Sequence, residues 1–339
     1  MYHGSIFNLL KIRLFIGFLV LIGSLLVMAF SGCKKTEKIG NLPVVEISTP
    51  TQQAIHKSVW LDANTGFICG GKKNQNGFIF KTKDAGKTWE LIFSSPGKCL
   101  YDINFVNDTI AYACGDALLL IRSRDNGTTW TEVSFANVNL EHFNYTPLRC
   151  IFGNYNLLMI VGGENFNNGN VLWFENNSMR WVWHFDHEFR TGLNFTQDNF
   201  VLAGYGNLYR TKDNGYNYSP MTLDGDFFTS SYTINSELGF VCGYDGGIYR
   251  TDNGGNNWKT LLKPNKTGRK RIHFNGICFS DETNGFAVGA EGLVMHCNDG
   301  EKFKTYNSIT SSDLLSIVKD KTGRMVISTS NGKLFRTTN

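Results

Sequence analysis

The densest group of side chains able to do chemistry is His184-Phe185-Asp186-His187-Glu188, two imidazoles and two carboxylates within five residues. Such a group could hold a metal or move protons. A single His-x-x-His outside a helix and without a third ligand falls short of a metal motif, so it reads as a solvated loop at a strand end, and no metal is assigned. Asp84-Ala85-Gly86 and its copies resemble calcium loops only in passing, because they lack the alternating acids and the closing Glu. Arginines come next, since converging guanidinium groups bind carboxylates in two-pronged fashion. Arg122, Arg210, Arg250 and Arg336, with Lys81, share one recurring position just before a repeated phrase, and Arg124 and Arg180 lie inside such phrases. Only Arg149, Arg190, Arg269, Arg271 and Arg324 stand apart. The one strong charge cluster runs from Lys263 to Arg271. Its usual reading is a solvated loop; beside aromatic side chains it becomes a site for an anionic partner.

These residues are positioned by a repeat. Thr82-Lys83-Asp84-Ala85-Gly86-Lys87-Thr88-Trp89 returns as Ser123-Arg124-Asp125-Asn126-Gly127-Thr128-Thr129-Trp130, then more weakly at Thr211–Tyr218 (Asp213, Gly215) and Thr251–Trp258 (Asn253, Gly255). Fainter copies lie at Phe174–Trp181 (Asn176) and His296–Phe303 (Asn298, Gly300), and a truncated one at Thr337-Thr338-Asn339. The marker residues 84, 125, 176, 213, 253, 298 and 339 are spaced as the units of a propeller or solenoid are. Ahead of each phrase come three short apolar runs, such as Tyr101–Phe105, then Gly66-Phe67-Ile68-Cys69-Gly70, then Phe78–Thr82; a fourth, such as Trp89–Phe93, follows it. Four short strands per unit predict one blade of an all-β propeller, and seven markers predict seven blades. Within the phrase, the Asp carboxylate is expected to accept backbone N–H bonds of its own turn, Gly to supply a positive φ, and Trp89, Trp130 and Trp258 to be buried staples. The last unit has three strands, so Val44–Thr49 is expected to pair with Lys333–Arg336 as its fourth and close the ring.

The phrase is similar to the Asp-box, or bacterial neuraminidase repeat, found between third and fourth propeller strands. With Gly-Phe-x-x-Gly ahead of it, the longer unit resembles the photosystem II stability and assembly factor family and its non-photosynthetic bacterial relatives over about residues 43–339. That resemblance implies a seven-bladed ring that binds protein and carries an arginine-rich patch; it does not imply photosynthesis. A sialidase, by contrast, resembles a six-bladed ring with three arginines, a Tyr–Glu pair and an acidic Asp. This chain lacks the Phe/Tyr-Arg-Ile-Pro sequence expected of one, so no catalytic residue and no cofactor is assigned.

Residues 1–32 read as an address. Lys11 and Arg13 precede an apolar run, and Phe30-Ser31-Gly32-Cys33 resembles a bacterial lipobox. That implies export through the inner membrane, cleavage before Cys33, lipidation of that cysteine and anchorage to the cell envelope; a plain secretory signal or membrane anchor is the alternative. Residues 33–42 read as a flexible tether and 43–339 as the propeller. Losing the leader leaves 31 basic against 29 acidic residues, which gives no case for nucleic acid. Eight cysteines include Cys69, Cys114 and Cys242 at one repeat position, read as small core residues rather than disulfide partners.

Partner recognition is expected on the face opposite the boxes, where four insertions are placed: Phe135–Tyr145, Gly163–Asn168, Lys72–Asn76 and Lys263–Arg271. The candidate binding residues are Lys72, Lys73, His142, Phe143, Tyr145, Phe166, Arg190, Lys266, Arg269 and Arg271. The composite expectation is a lipid-anchored module that binds a protein partner in the envelope. A glycan-binding or glycan-cleaving surface lipoprotein is the alternative. Paired acids in the central channel would favour the enzyme; basic or apolar lining would favour the binding module.

Overall fold

Second strands of the repeat are apolar almost without interruption, because a blade sandwiched between two others buries both faces of its middle. In a computed structural model, which describes residues 38–135, 146–225, 227–264 and 272–338, this pattern produces seven sheets, six wholly antiparallel and one with a single parallel strand added at its edge. Two strands precede the first complete blade: β1 (Lys38–Asn41) and β2 (Val44–Ile47). Blade one is β3 (Ile55–Trp60), β4 (Gly66–Lys72), β5 (Asn76–Thr82) and β6 (Glu90–Pro96). Phe67, Ile68 and Cys69 of β4 are wholly buried, as are Cys114 and Cys242 at the equivalent place in blades two and five, while β6 is largely exposed. The first strands of all seven blades touch their neighbours in an unbroken circle around a central channel.

The predicted closure is present. β2 pairs antiparallel with Leu334–Thr337, Val44 opposite Thr337 and Ile47 opposite Leu334. The chain goes one step further than expected. Lys38–Asn41, read above as the end of a tether, forms β1 and lies parallel to Phe303–Asn307 as a fifth strand of blade six. Its polarity hid the anchors: Leu42 is buried among Cys278, Val288 and Leu314, and Asn307 Nδ2 donates to Asn41 Oδ1 at 2.8 Å. Residues 33–37, including Cys33, lie outside the described residues.

The box turns are held as their chemistry requires. In blade one, Asp84 Oδ1 accepts the Thr88 N–H (2.8 Å) and the Thr82 hydroxyl (2.8 Å), and Gly86 N–H donates to Thr82 Oγ1 (2.9 Å). Asp125, Asp213 and Asn253 repeat this arrangement. Three expectations change. In blade six the carboxylate is that of Asp299, which takes the N–H groups of Glu301 and Lys302, and not the amide of Asn298; the turn is one residue shorter. Blade three has no box: Asn176 and Asn177, at φ 47° and 62°, make a two-residue hairpin turn between Glu175 and Ser178. Trp89, Trp130 and Trp258 are half-buried, since the box lies at the rim of the ring where only one neighbouring blade covers it.

The recurring cations join blade to blade. Lys81 Nζ donates to Asn126 O of the next box (3.0 Å), Arg122 to Asn177 O (3.4 Å), and Arg250 to Gly300 O (3.3 Å). Arg210 reaches the Asn256 side chain, and Arg336 lies 4.1 Å over the Trp60 ring of blade one. Blade three uses Trp173 instead; a Cβ on Gly215, at φ +78°, would sit 1.8 Å from its ring. These cations are therefore structural, as their repetition implied.

Candidate binding site at the channel mouth

Each first strand carries a β-bulge at the same place. Ile55 opposes Gly70 and Lys57 opposes Cys69, which leaves His56 unpaired; the register skips Tyr101, Arg149, Arg190, Thr229, Asn275 and Leu315 in the same way in blades two to seven. A bulge re-aims one side chain and twists the strand. Here it turns seven side chains, one per blade, into the channel at the end opposite the boxes. The framework around them is constant while the bulged residue varies: six residue types occupy the seven places, and arginine alone recurs, in the adjacent blades three and four. That is how a repeat protein builds a specific site on a uniform scaffold.

The channel encloses about 1150 Å³. Its lining holds five cationic side chains, Lys57, Arg149, Arg190, Lys319 and Lys321, against one acid, Asp102. Asp102 is committed to structure: Oδ2 accepts the Ile151 N–H at 2.7 Å, Oδ1 accepts that of Ile103 at 2.9 Å, and Lys57 Nζ stands 3.9 Å away. Arg149 lies 4.2 Å over the Tyr101 ring. Its Nε is buried without a hydrogen-bond acceptor among the described residues. Arg190 lies 5.2 Å from the Phe227 ring, and its Nε is 2.5 Å from Glu188 Oε1, off the line of a well-aligned bond. Burial first, and then the like charge of Arg149, weaken Arg190's hold on its proton, while Glu188 opposes both. His56 is lowered to about 4 by burial and by Arg149, so it is neutral at physiological pH. The mouth thus presents guanidinium charge that the protein itself satisfies only in part.

Two buried carboxylates fix this geometry from below. Asp116 accepts the Tyr101 hydroxyl (2.7 Å) and the N–H groups of Asn74 and Cys99 (3.0 Å each). Glu188, 1% exposed, pairs with Arg190 and also accepts the Phe166 N–H at 3.1 Å. Each acid therefore orients one mouth residue and pins one of the inserted loops, 72–76 or 163–168. Lys73 Nζ and Glu164 Oε1, 2.7 Å apart, join those two loops across blade two.

Beside the arginines lies an arc of aromatic rings. Phe166 meets Tyr205 (4.8 Å) and Phe227 (5.8 Å); Phe227 meets Tyr244 (5.8 Å), and Tyr244 meets His273 (4.5 Å). Phe166, Tyr205 and Tyr244 are 54%, 41% and 46% exposed, a large apolar area for a soluble face. Phe166 also adopts φ +68°, a backbone state costing an aromatic residue about 1–2 kcal/mol. Strain and exposure at one bulky apolar residue mark a place shaped for contact with something else.

Of the candidates named from sequence, Lys72, Lys73, Phe166 and Arg190 stand on this face, with Phe166 and Arg190 at the mouth itself. His142, Phe143, Tyr145, Lys266, Arg269 and Arg271 lie outside the described residues. His184 and His187 sit on the outer strand and following turn of blade three, away from the channel lining; among the described residues no cluster of metal-ligating side chains occurs. Sequence reasoning missed His56, Tyr101, Arg149, Tyr205, Phe227, Tyr244 and the buried acids. A signal existed: Tyr205 and Tyr244 follow the repeat glycines Gly204 and Gly243, and the bulge residues follow a recurring apolar residue such as Leu100, Leu148 or Phe189.

No protein-family model matches the chain, and no curated protein does. Solved structures do. The structure of YCF48 bound to D1 peptide superposes with a TM-score of 0.69 at 14% identity, over 90% of this chain and 98% of the other. YCF48 from Cyanidioschyzon merolae gives 0.66 at 14% identity, over 87% and 98%. The WD40 propeller domain of Doa1 gives 0.65 at 9% identity, over 88% and 96%. At such identities the likeness is one of fold: the chain is a seven-bladed β-propeller similar in architecture to YCF48 and to WD40 propellers.

Proposed function

We propose that the protein is a non-enzymatic, lipid-anchored propeller of the bacterial envelope that binds a protein partner at the channel mouth, in the manner of an assembly or stability factor. The observation that carries this is the charge of the channel: five cations to one acid, with the Arg149 guanidinium only partly satisfied from within. A glycosidase of the usual kind needs two carboxylates flanking the bond. The lone acid here is already bonded to two backbone N–H groups. Buried Arg and aromatic groups are, in contrast, the residues on which protein–protein binding energy concentrates. The D1 peptide held by YCF48 supports the same reading by analogy of fold. Anchorage rests on Cys33 and the leader before it.

The test is photo-cross-linking in the native cell from a probe placed at Thr229, comparing wild type with an Arg149→Gln/Arg190→Gln variant. A defined protein adduct lost in the variant is expected. Equal adducts in both, or turnover of a glycan substrate by the purified protein, would overturn the proposal.

A further inference from the structure

The arginine pair and the aromatic arc occupy adjoining arcs of one rim, and together they define more of the partner than charge alone. Arg149 and Arg190 come from blades three and four. Phe227 and Tyr244 flank the first and second strands of blade five, so the rim changes from cationic to aromatic within one blade. The step from the Arg190 guanidinium to the Phe227 ring is 5.2 Å, and from Phe227 to Tyr244 it is 5.8 Å. An extended chain rises about 3.3 Å per residue, so these two steps cover about three residues of a bound peptide.

Resting on the protein-binding reading above, we infer that the mouth takes an extended peptide segment in which an acidic side chain stands two to four residues from an aromatic, aliphatic or proline residue. The acid meets Arg149 and Arg190 and completes hydrogen bonding that the protein leaves open. The apolar residue lies on Phe227, Tyr205 and Tyr244, whose rings stand tilted or edge-on to one another and leave ridges and clefts of the kind that grip proline and aromatic side chains. Two observations favour this occupant over a purely acidic one. Phe166 is held exposed in a strained backbone state by the same Glu188 that pairs with Arg190, so a single buried acid sets both halves of the rim. Rings, moreover, contribute little to binding a hydrated carboxylate by itself, yet here they form the larger exposed part of the site.

The experiment exposes the detergent-extracted full chain to an array of fully randomised nonapeptides and counts residue enrichment among binders. Acids are expected to be enriched at least fivefold, with aromatic, aliphatic or proline residues enriched two to four positions away. Tyr244→Ser should abolish the apolar enrichment and leave the acidic one; Arg149→Gln should do the reverse. Circular dichroism and melting checks on both variants separate loss of binding from loss of fold. Enrichment of acids with no apolar neighbour, or an unchanged pattern in Tyr244→Ser, overturns this inference and leaves the protein-binding reading standing. No enrichment of acids at all overturns both.

Discussion

Removing the carboxylate of Asp320 should destabilise the closure between blades seven and one more than any single box can. Asp320 is buried and accepts the N–H groups of Thr322 (2.8 Å) and Arg324 (3.1 Å), with Arg336 Nε 3.3 Å and Arg324 Nε 3.6 Å from its second oxygen. Arg336, also buried, covers the Trp60 ring of the first blade. Asp320→Ala strands that guanidinium without its counter-ion. Breaking a buried pair from one side costs about 3–5 kcal/mol; the half-exposed Arg324 can relax into water, so the lower figure, about 3 kcal/mol, applies. For a body of about 300 residues the unfolding entropy is about 0.6 kcal/mol per kelvin, which converts the loss to a drop in Tm of about 5 °C. Differential scanning calorimetry of Asp320→Ala, Arg336→Met and the double variant provides the test. Arg336→Met is expected to cost less in the Asp320→Ala background than in wild type, because the stranded charge has then gone. A Tm within 1 °C of wild type for Asp320→Ala would refute the argument.

Other outcomes follow from the same structure. Trp130→Ala, at a half-buried rather than a buried ring, is expected to cost about 2 kcal/mol, below the ~3–5 typical of fully buried aromatics; a urea melt measures it, and a loss of the full ~4 kcal/mol or more would contradict a half-buried ring. Asp84 and Asp125 are lowered to about 2, chiefly by the Thr88 and Thr129 hydroxyls. Because the folded value lies below the unfolded one, their contribution is complete above pH 4 and lost as pH falls toward 2. The Asp84→Asn/Asp125→Asn variant should therefore show a shallower loss of stability between pH 4 and 2 than wild type, and parallel curves would contradict that. Glu188→Ala should raise the dissociation constant of a captured peptide at least tenfold, while Glu188→Gln, which can still accept the Phe166 N–H, should lose less; equal effects would separate Phe166 from the site. Cys33→Ser should move the protein from the membrane to the soluble fraction and abolish incorporation of labelled palmitate; unchanged membrane partition would remove the lipid anchor from the proposal.

The blades were legible because their determinants are local and repeated. Gly66–Gly70, Gly239–Gly243 and Gly285–Gly289 show a second strand buried on both faces, and the Thr82–Trp89 phrase shows the turn that follows the third. Even the closing pair of Val44–Ile47 with the last strand could be read from the missing fourth strand. What could not be read was anything decided by register. A bulge shifts one residue of each first strand out of pairing, and its mark in the sequence is only a preceding apolar residue such as Leu100, Leu148 or Phe189, so His56, Tyr101, Arg149 and Arg190 show their common position in the channel ring only once the register is known. β1 was missed because Lys38–Asn41 is polar and depends on a neighbour almost the whole chain away. Asn298 holds the marker position when residues are counted along the repeat, and counting cannot reveal the turn one residue shorter that puts Asp299 in that role. The lipobox and the basic 263–271 loop remain sequence arguments, since Cys33, Lys266, Arg269 and Arg271 lie outside the described residues.

The pairing of Glu46 with Lys333 joins residues separated by 287 positions. Blade seven therefore cannot exist on a nascent chain until nearly all of it has been synthesised, and contacts so distant in sequence form slowly. A polypeptide of this topology can cross a membrane as a linear thread and still be assembly-competent afterwards, because its decisive handshake waits for the trailing end. Any product cut short before Leu334 would carry an orphaned strand and an open sheet margin, the kind of surface that pairs with strands of other chains.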